Sequence, residues 1–570
     1  MNGEPSPTEH TGRRHWVLIE TGGNQRYIFG SNRLRHVVGA SQLVHEVGTE
    51  WVPTAVGRLD DPDATVVMTA SGKALLLVGT LDAGRAVIRE VSCRALREAP
   101  GLQVTGVVGP PFDAADPTAH EPARRETYEL HAEVRAARRD PLQRDRVFPW
   151  HRLCRDSGQP AADEERYGED ELVAASAGVL ARSDARHRAR RRLLEQLPGE
   201  LGDVVPANTD VLRQSGWAAV VHADGNGVGG LFRGFIDHVT AVAGTGPVDL
   251  ATHLRYQRLV SAELETATWD AVRDAVAALR DQRAGEELTG RLLPIVVGGD
   301  DVTLICDAAL AVPFVRAFAE GFARHTAAQP RLSAIARQAT GHGGLTASAG
   351  VAVVKPHHPF GAAYELAEAL TVSAKRFRSA DGSADGSADE TRRRPQGRSL
   401  AAFDLHVAHA ATLQDLTLLR EHTEPAAKCG PQVARYAGPY LLGAVEDLPV
   451  ELRHRSVELL DEVHGWLDRA GWLSTAQAHA LREAADRSLA EYRHQVGLTV
   501  PRAPDPDRAG TLLDVQPPTL GTDTGRQPPT DGTDAPFLRL FDAMHLHGLR
   551  LDTFVPAPST DRSASKGGIR

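Results

Sequence analysis

The sequence predicts an α+β fold that contains two ferredoxin-like units, each with the element order βαββαβ. Three observations predict it. Short apolar stretches alternate with amphipathic ones, the order strand–helix–hairpin–helix–strand spans about residues 15–110, and the same order returns between about 217 and 377. The two stretches share little sequence, so the predicted internal duplication depends on element order alone.

The first unit begins with the apolar strand HWVLIE, which starts at His15. An amphipathic helix over about Ser31–Val52 follows. The strands ATVVMTA and ALLLVG then form a hairpin, because only Ser71-Gly72-Lys73 separates them. A helix over about Asp82–Glu98 and the strand LQVTGVV complete the unit.

The second unit begins with the strand WAAVVHAD, which ends at Asp224. Helices fill much of 228–282, and the strands LLPIVV and VTLIC form a hairpin around Gly298-Gly299-Asp300-Asp301. A helix over 308–325, the strand LTASAGVAVV and a helix over about Gly361–Phe377 follow. The order of elements is therefore that of the first unit.

Composition divides the rest of the chain into an Arg-rich stretch between the units, a Ser-Ala-Asp-Gly repeat, a region of helical spacing and a Pro/Thr-rich stretch. The predicted organisation is a disordered N-terminus (1–14), the first unit (15–112), an Arg-rich linker domain (113–213), the second unit (214–410, with a flexible insertion at 379–394), a helical domain (411–499), a disordered Pro/Thr-rich segment (500–535), a C-terminal docking segment (536–556) and a disordered tail (557–570).

Charge and cysteine content narrow the function classes. The 570 residues carry 64 basic and 74 acidic side chains, a net charge of −10, which argues against sequence-independent binding of nucleic acid by the whole surface. Four scattered cysteines argue against a disulfide scaffold. No apolar stretch reaches the ~20 residues that span a bilayer, and the N-terminus is polar, so we expect a cytoplasmic protein without membrane contact.

Acidic residues mark the candidate site. The first strand of a ferredoxin-like sheet lies beside the hairpin, so Asp224 can face Asp300 and Asp301 at the end of the second unit's sheet. Converging carboxylates are the ligands that Mg²⁺ or Mn²⁺ needs when it holds a nucleoside triphosphate. An ordinary Gly-Asp turn is the alternative. The apolar strands on both sides and the second Asp-Gly loop favour the functional interpretation.

Glycines and one lysine extend the candidate site. Gly298-Gly299 allows a substrate to approach the backbone, and Gly225-Asn226-Gly227 precedes a helix N-terminus whose N–H groups can bind phosphate. Ser348 could lie beneath a base or ribose, although ordinary packing explains it nearly as well. The chain has only five lysines, and Lys375 is the candidate phosphate contact, with retention by chance as the alternative.

These motifs resemble the large palm-domain subunit of type III CRISPR effector complexes, the cyclic oligoadenylate synthetase family. The resemblance covers about 15–110 and 215–410. The residues that carry it are ETGGNQRYIFGSNRLR (20–35) and Gly39-Ala40-Ser41 in the first palm, and His222–Gly227, Gly298–Asp301, Ser348-Ala349-Gly350, Ala367-Glu368 and Ala374-Lys375 in the second.

The resemblance implies two adenylyl-cyclase/GGDEF-like palms that face each other, bind ATP and join it into cyclic oligoadenylate, a second messenger of antiviral defence. Asp224 and Asp300 would bind the metal, and Asp301 would complete the metal site or help to deprotonate the attacking 3′-hydroxyl. Guide or target RNA and other CRISPR effector subunits would be partners, and a chain that acts alone could form a homo-oligomer.

The sequence departs from the family pattern in three places. Ser71-Gly72-Lys73 stands where a catalytic palm would carry acids, so we expect a non-catalytic first palm. No His-Asp nuclease segment precedes that palm, so we expect no DNase activity. Only Cys154, with His151 nearby, remains of a zinc module in the linker, and zinc is not expected. A non-catalytic nucleotide-binding scaffold subunit and a standalone cyclic-dinucleotide synthase stay open as alternatives.

Overall fold

The computed structural model describes residues 12–138, 147–167, 171–206, 216–244, 246–282, 288–377, 400–408, 416, 437–467, 471–516 and 538–548. The predicted insertion at 379–394 and the predicted tail at 557–570 lie outside these ranges. Within them, no helix has both the length and the apolar character needed to cross a bilayer.

The first palm is a four-stranded antiparallel sheet in the order β2-β3-β1-β4. Its elements are β1 (Arg13–Gly22), α1 (Asn24–Phe29), α2 (Leu34–Glu46), a π-helical turn (Val47–Trp51), α3 (Val52–Val56), β2 (Thr65–Ala70), β3 (Lys73–Val78), α4 (Leu81–Glu98) and β4 (Gln103–Asp113). This is the predicted ferredoxin-like order. The central strand β1 carries buried apolar residues on both faces, because both faces of the sheet are covered.

The cover on one face of this sheet comes from the predicted linker. Helix α5 (His120–Ala137) lies there, and Trp16 of β1 donates its indole N–H to the carbonyl oxygen of His120 over 2.9 Å. Trp16, Leu18 and Ala123 belong to one buried apolar cluster on this face. Residues beyond 112 therefore contribute to the packing of the first palm. The end of the palm domain at residue 112 stays a prediction.

The rest of the Arg-rich stretch packs against α2. Its elements are β5 (Asp163–Tyr167), β6 (Glu171–Ala175), α6 (Ala177–Gln196) and a 3₁₀ turn (Gly199–Val204). Helices α2 and α6 approach so closely that a Cβ on Gly39 would lie 1.7 Å from the carbonyl oxygen of Arg182. Only glycine fits at this helix crossing.

The second palm repeats the topology and extends the sheet. Its elements are β7 (Ala218–Gly225), α7 (Val228–Arg233), α8 (Phe235–Ala243), α9 (Leu250–Gln282), β8 (Leu292–Gly298), β9 (Asp301–Asp307), α10 (Ala308–Ala328), α11 (Pro330–Thr340), β10 (Ala347–Val354), α12 (Phe360–Ala374), β11 (Ala402–Val407) and β12 (Tyr440–Leu441). The strand order is β12-β11-β10-β7-β9-β8, so its last four strands reproduce the first sheet. The α+β prediction with two ferredoxin-like palms is confirmed.

The C-terminal region is mainly helical, with α13 (Val457–Leu467), α14 (Thr475–Arg487), α15 (Leu489–Thr499), α16 (Pro506–Leu513) and α17 (Arg539–Gly548). Strand β12 lies inside the predicted helical domain 411–499 and pairs with β11 instead. In α17, Asp542 accepts hydrogen bonds from the hydroxyl of Tyr440 (2.6 Å) and the backbone N–H of Ala437 (2.8 Å), which tie this helix to the end of the sheet.

The prediction that 500–535 is disordered was wrong for 500–516. This stretch forms a 3₁₀ turn and then α16. Asp505 caps α16 by accepting from the N–H of Arg508 (3.0 Å), and Pro506 occupies the first turn, where its missing N–H costs nothing. Residues 517–535 lie outside the described residues.

The two palms pack against each other through the first palm's α1 and α2. The rings of Phe29 and Tyr364 stack with centroids 4.4 Å apart. The hydroxyl of Ser41 donates to the carbonyl oxygen of Ile295 in β8. From the other side, Arg258 of α9 donates to the carbonyl oxygen of Val66 in β2 over 3.2 Å. These contacts fix the first palm against the second.

Replacing Gly39 by alanine should destabilise the protein by about 2 kcal/mol, because the added methyl group forces α2 away from α6. Urea unfolding measures the change. Gly497→Ala is the matched control: Gly497 lies in α15 with open space around a Cβ, so the substitution should be neutral or stabilise by up to about 1 kcal/mol. Equal stability of the two variants would contradict the close approach of the helices.

Candidate active site

Three carboxylates meet at one end of the second sheet. Ala223 of β7 pairs with Val302 of β9, so Asp224 and Asp301 lie side by side, and Asp300 occupies the turn that precedes β9. One carboxylate oxygen from each residue lies within 4.8 Å of the other two. The structure therefore brings together the three residues that the sequence predicts as metal ligands.

Glycines make this convergence sterically possible. A Cβ on Gly225 would lie 2.8 Å from the Cβ of Asp300, so the end of β7 must be glycine for the hairpin to approach it. Gly299 turns the hairpin with φ 62°, and its carbonyl oxygen accepts from the hydroxyl of Thr268 in α9 over 2.5 Å. Gly227, with φ 80°, is the N-cap residue of α7. These φ values favour glycine strongly.

The carboxylates repel one another. Partial removal from water raises the pKa of both Asp300 and Asp301. The negative charges of Asp300 and Glu368 raise the pKa of Asp301 further. A divalent cation would relieve this repulsion, and hard carboxylate oxygens are the ligands that Mg²⁺ and Mn²⁺ prefer. The residues present thus fit such an ion.

A positive charge lies against the three carboxylates at the end of helix α12. Lys375 follows its last turn, and its ammonium group contacts the carboxylate of Asp224. Tyr364, Glu368, Thr371 and Lys375 repeat every three to four residues and so share one face of the helix. This stripe faces the first palm at Tyr364 and the carboxylates at Lys375.

The same helix is fixed tightly on the sheet. Thr371 donates its hydroxyl to the carbonyl oxygen of His222 over 2.9 Å. A Cβ on Gly350 of β10 would lie 2.0 Å from the carbonyl oxygen of Ala367, so only glycine lets α12 lie this close. Burial, and then the charge of Lys375, lower the pKa of His222 to about 4. The imidazole is therefore neutral at pH 7 and adds no positive charge to the site.

Asn226 and Ser348 have partners within the protein. Both are 1% exposed. Ser348 donates to the side-chain oxygen of Asn226 (3.0 Å), and the amide nitrogen of Asn226 donates to the hydroxyl of Thr346 (3.0 Å) and the carbonyl oxygen of Leu400 (3.2 Å). In this arrangement they hold the loop after Asp224. A direct contact of either residue with nucleotide stays a prediction.

The first palm presents its own hairpin to this site. A Cβ built on Gly298 would lie 3.7 Å from the Cβ of Ser71, so the tips of the two palms' hairpins are neighbours. Lys73, in the same hairpin as Ser71, forms an ion pair with Glu20 over 2.5 Å. Its charge is thereby balanced inside the first palm, whose expected lack of catalysis stays a prediction.

The sequence does not indicate the contact that joins the two palms beside the site. Gln25 of α1 donates to the hydroxyl of Tyr364 (3.1 Å) and to the carboxylate of Glu368 (2.9 Å). The i, i+4 spacing of Tyr364 and Glu368 marks a shared helix face, but nothing local in the sequence indicates that Gln25 contacts it.

A second acidic cluster lies where α2 meets the predicted linker. Ligand atoms of His36, Asp156 and Glu165 lie within 4.8 Å of one another. Both ring nitrogens of His36 already have partners, Glu165 at 3.0 Å and the hydroxyl of Ser31 at 3.0 Å. Burial alone would raise the pKa of Glu165. The hydrogen bonds from His36 and Ser183 outweigh this effect and lower the pKa to about 2.

Arginines complete that cluster. Arg33 pairs with Asp156 at 3.1 Å and Arg35 with Glu165 at 3.2 Å. The cluster is thus an ion-pair network between palm and linker. Within the described residues, two groups of side chains could hold a metal ion, namely this cluster and the three carboxylates. Neither group contains Cys154 or His151.

One family model matches the segment that forms the second palm. A family model described as Cas10/Cmr2, second palm domain, matches residues 217–383. No curated protein matches the chain. Similar solved structures include an apo Csm1-Csm4 cassette (13% identity, TM-score 0.46, 95% of this chain and 71% of that chain). A second is Csm1 in T.onnurineus, with 13% identity and a TM-score of 0.42 over 93% of this chain and 69% of that chain. A third is a type III-B Cmr-beta complex in the apo state, with 9% identity and a TM-score of 0.47 over 85% of this chain and 77% of that chain.

The family match spans all three carboxylates and the helix that carries Lys375. It confirms the resemblance that the sequence motifs predicted for this segment. Residues 217–383 are therefore similar to the second palm domain of the Cas10/Cmr2 family.

Proposed function

We propose that the chain is a Mg²⁺-dependent nucleotidyltransferase that converts ATP into a cyclic oligoadenylate-type second messenger. The observation that carries the proposal is the convergence of Asp224, Asp300 and Asp301 at the end of a Cas10/Cmr2 second palm. Like charges this close are costly unless a cation binds them, and two hairpin tips border the place where a nucleotide would lie.

The proposed reaction joins two nucleotides. The 3′-oxygen of one ATP forms a bond with the α-phosphorus of another, the α–β phosphoanhydride bond breaks, and pyrophosphate leaves. Such transfers depend mainly on positioning and charge neutralisation. A bound divalent ion would neutralise phosphate charge and lower the pKa of the attacking hydroxyl.

The chain's own residues would perform the remaining tasks. Asp224 and Asp300 would hold the ion, and Asp301 would either complete its ligands or take the proton of the 3′-hydroxyl. The raised pKa of Asp301 suits proton transfer near neutral pH. Lys375, displaced from Asp224 when the ion binds, is close enough to contact a phosphate group.

The assembly in which the chain works is part of the proposal. Membership of the second palm in the Cas10/Cmr2 family favours an RNA-guided type III effector complex of the cytoplasm, with guide and target RNA as the controlling partners. A standalone synthase would use the same carboxylates. Mass spectrometry of the product separates cyclic oligoadenylate from a cyclic dinucleotide.

Asp300→Asn and Asp301→Asn should each lower product formation from ATP at least about 100-fold, because each removes a charge that holds the ion. The purified chain is incubated with ATP and Mg²⁺ or Mn²⁺, with and without target RNA, and with GTP in parallel. Asp82→Asn, at a side chain 93% exposed in α4, is the matched control and should keep activity. Product from neither nucleotide in the wild type would favour the scaffold alternative.

Metal-free stability should depend on pH at Asp301. Its raised pKa means that the folded state keeps a proton that the unfolded state loses, so stability falls as pH rises from about 4 towards neutral. In EDTA, Asp301→Asn should therefore unfold at a higher temperature than the wild type at pH 8 and at nearly the same temperature at pH 4.

The gain at pH 8 should not exceed about 1 kcal/mol, because Asp301 is only partly removed from water and the solvent that reaches its side chain screens the repulsion. Mn²⁺ should raise the unfolding temperature of the wild type much more than that of the variant. If the difference in unfolding temperature between Asp301→Asn and the wild type in EDTA were the same at pH 4 and pH 8, the repulsion assigned to Asp301 would be contradicted.

Lys375→Met should raise KM for ATP about tenfold, because a charged contact to phosphate is lost. Steady-state kinetics at saturating Mn²⁺ measures it. Lys355→Met is the control: Lys355 lies over the ring of Trp217, 3.6 Å from its centroid, and should leave KM unchanged. An unchanged KM in Lys375→Met would contradict a contact between this lysine and ATP.

A further inference from the structure

A groove lies in the C-terminal helical region, outside both palm sheets. Helices α14 and α17 form its walls, and it encloses about 290 Å³. That volume is close to the lower end of small-molecule pockets. Thr475, Ala478, His479 and Arg482 of α14 line one wall with the i, i+3, i+4, i+7 spacing of a single helix face.

The floor of the groove is apolar. Leu467 of α13 and Phe541 of α17 are buried there at 6% and 5% exposure, and Ala478 is 1% exposed. Met544, half-buried, continues the floor along α17. An apolar ligand group placed on these side chains would lose contact with water, which favours binding.

The rim of the groove carries basic side chains. Its titratable lining residues are Arg482 and the histidines His479, His545 and His547, and the lining contains no carboxylate. Arg482 and His479 are exposed. Within the described part of the chain, neither makes a hydrogen bond or ion pair. Arg487 of the same helix, in contrast, pairs with Glu491 over 2.5 Å.

We propose that this groove binds a small organic anion. The apolar body of the ligand rests on Leu467, Phe541 and Met544, and its phosphate or carboxylate group pairs with Arg482, whose planar guanidinium suits both groups. The volume of the groove is close to that of small-molecule pockets, which favours a small ligand.

The test uses phenyl phosphate as probe and isothermal titration calorimetry of the full chain in EDTA. Inorganic phosphate and phenol, each one half of the probe, are titrated separately, and benzoate distinguishes a carboxylate from a phosphate preference. We expect phenyl phosphate or benzoate to bind at least tenfold more tightly than inorganic phosphate or phenol.

Arg482→Gln should weaken binding of the preferred anion about tenfold or more. Arg487→Gln on the same helix should leave the affinity unchanged, since Arg487 does not line the groove. Met544→Gln should weaken phenyl phosphate but not inorganic phosphate. Thermal unfolding of each variant checks that it is folded.

Three results would overturn the proposal. These are an absence of binding by both organic anions at millimolar concentration, inorganic phosphate binding as tightly as phenyl phosphate, and equal weakening by Arg482→Gln and Arg487→Gln. The proposal does not depend on the activity of the palms, and the titrations distinguish its failure from a failure of the nucleotidyltransferase assignment.

Discussion

Repulsion among three carboxylates is the constraint on which the arrangement of the second palm depends. Asp224, Asp300 and Asp301 would separate if their backbones were free to move. Pairing of β7 with β9 holds two of them, and the missing side chain of Gly225 lets the third approach. The ammonium group of Lys375 offsets part of the charge. Sheet register, one glycine and one lysine thus serve a single electrostatic requirement.

The first palm has the same strand order but different electrostatics at the corresponding hairpin. Its lysine is neutralised by Glu20 within its own sheet, and Ser71 is small enough to lie beside the glycines of the opposite hairpin. The duplicated topology therefore gives two hairpins at equivalent places in their sheets, and the three carboxylates lie at the second of them. The family match, which covers 217–383, falls on that acidic copy.

The parts of the fold that were predicted correctly are those encoded by local pattern. Alternating apolar strands, amphipathic helices and Gly-Asp turns act over a few residues, so both palms and the acidic hairpin follow from the sequence. Long-range contacts do not. Gln25 and Tyr364 are 339 residues apart, and the two-residue strand β12 is defined only by its partner. The proline-rich composition around α16 led to the prediction of disorder. The Asp505-Pro506 pair, a local signal for the start of a helix, was correct.

The single face of α12 that carries Tyr364, Glu368, Thr371 and Lys375 has a mechanical consequence. The helix has 15 residues and is about 22 Å long. One end lies at the first palm and the other at the three carboxylates. Because Thr371 and the close contact at Gly350 clamp it to the sheet between these ends, it cannot bend to absorb a displacement. The helix and the carboxylates of that sheet therefore move as one body, and a change in the spacing of the two palms is taken up at the contacts of Gln25 with Tyr364 and Glu368.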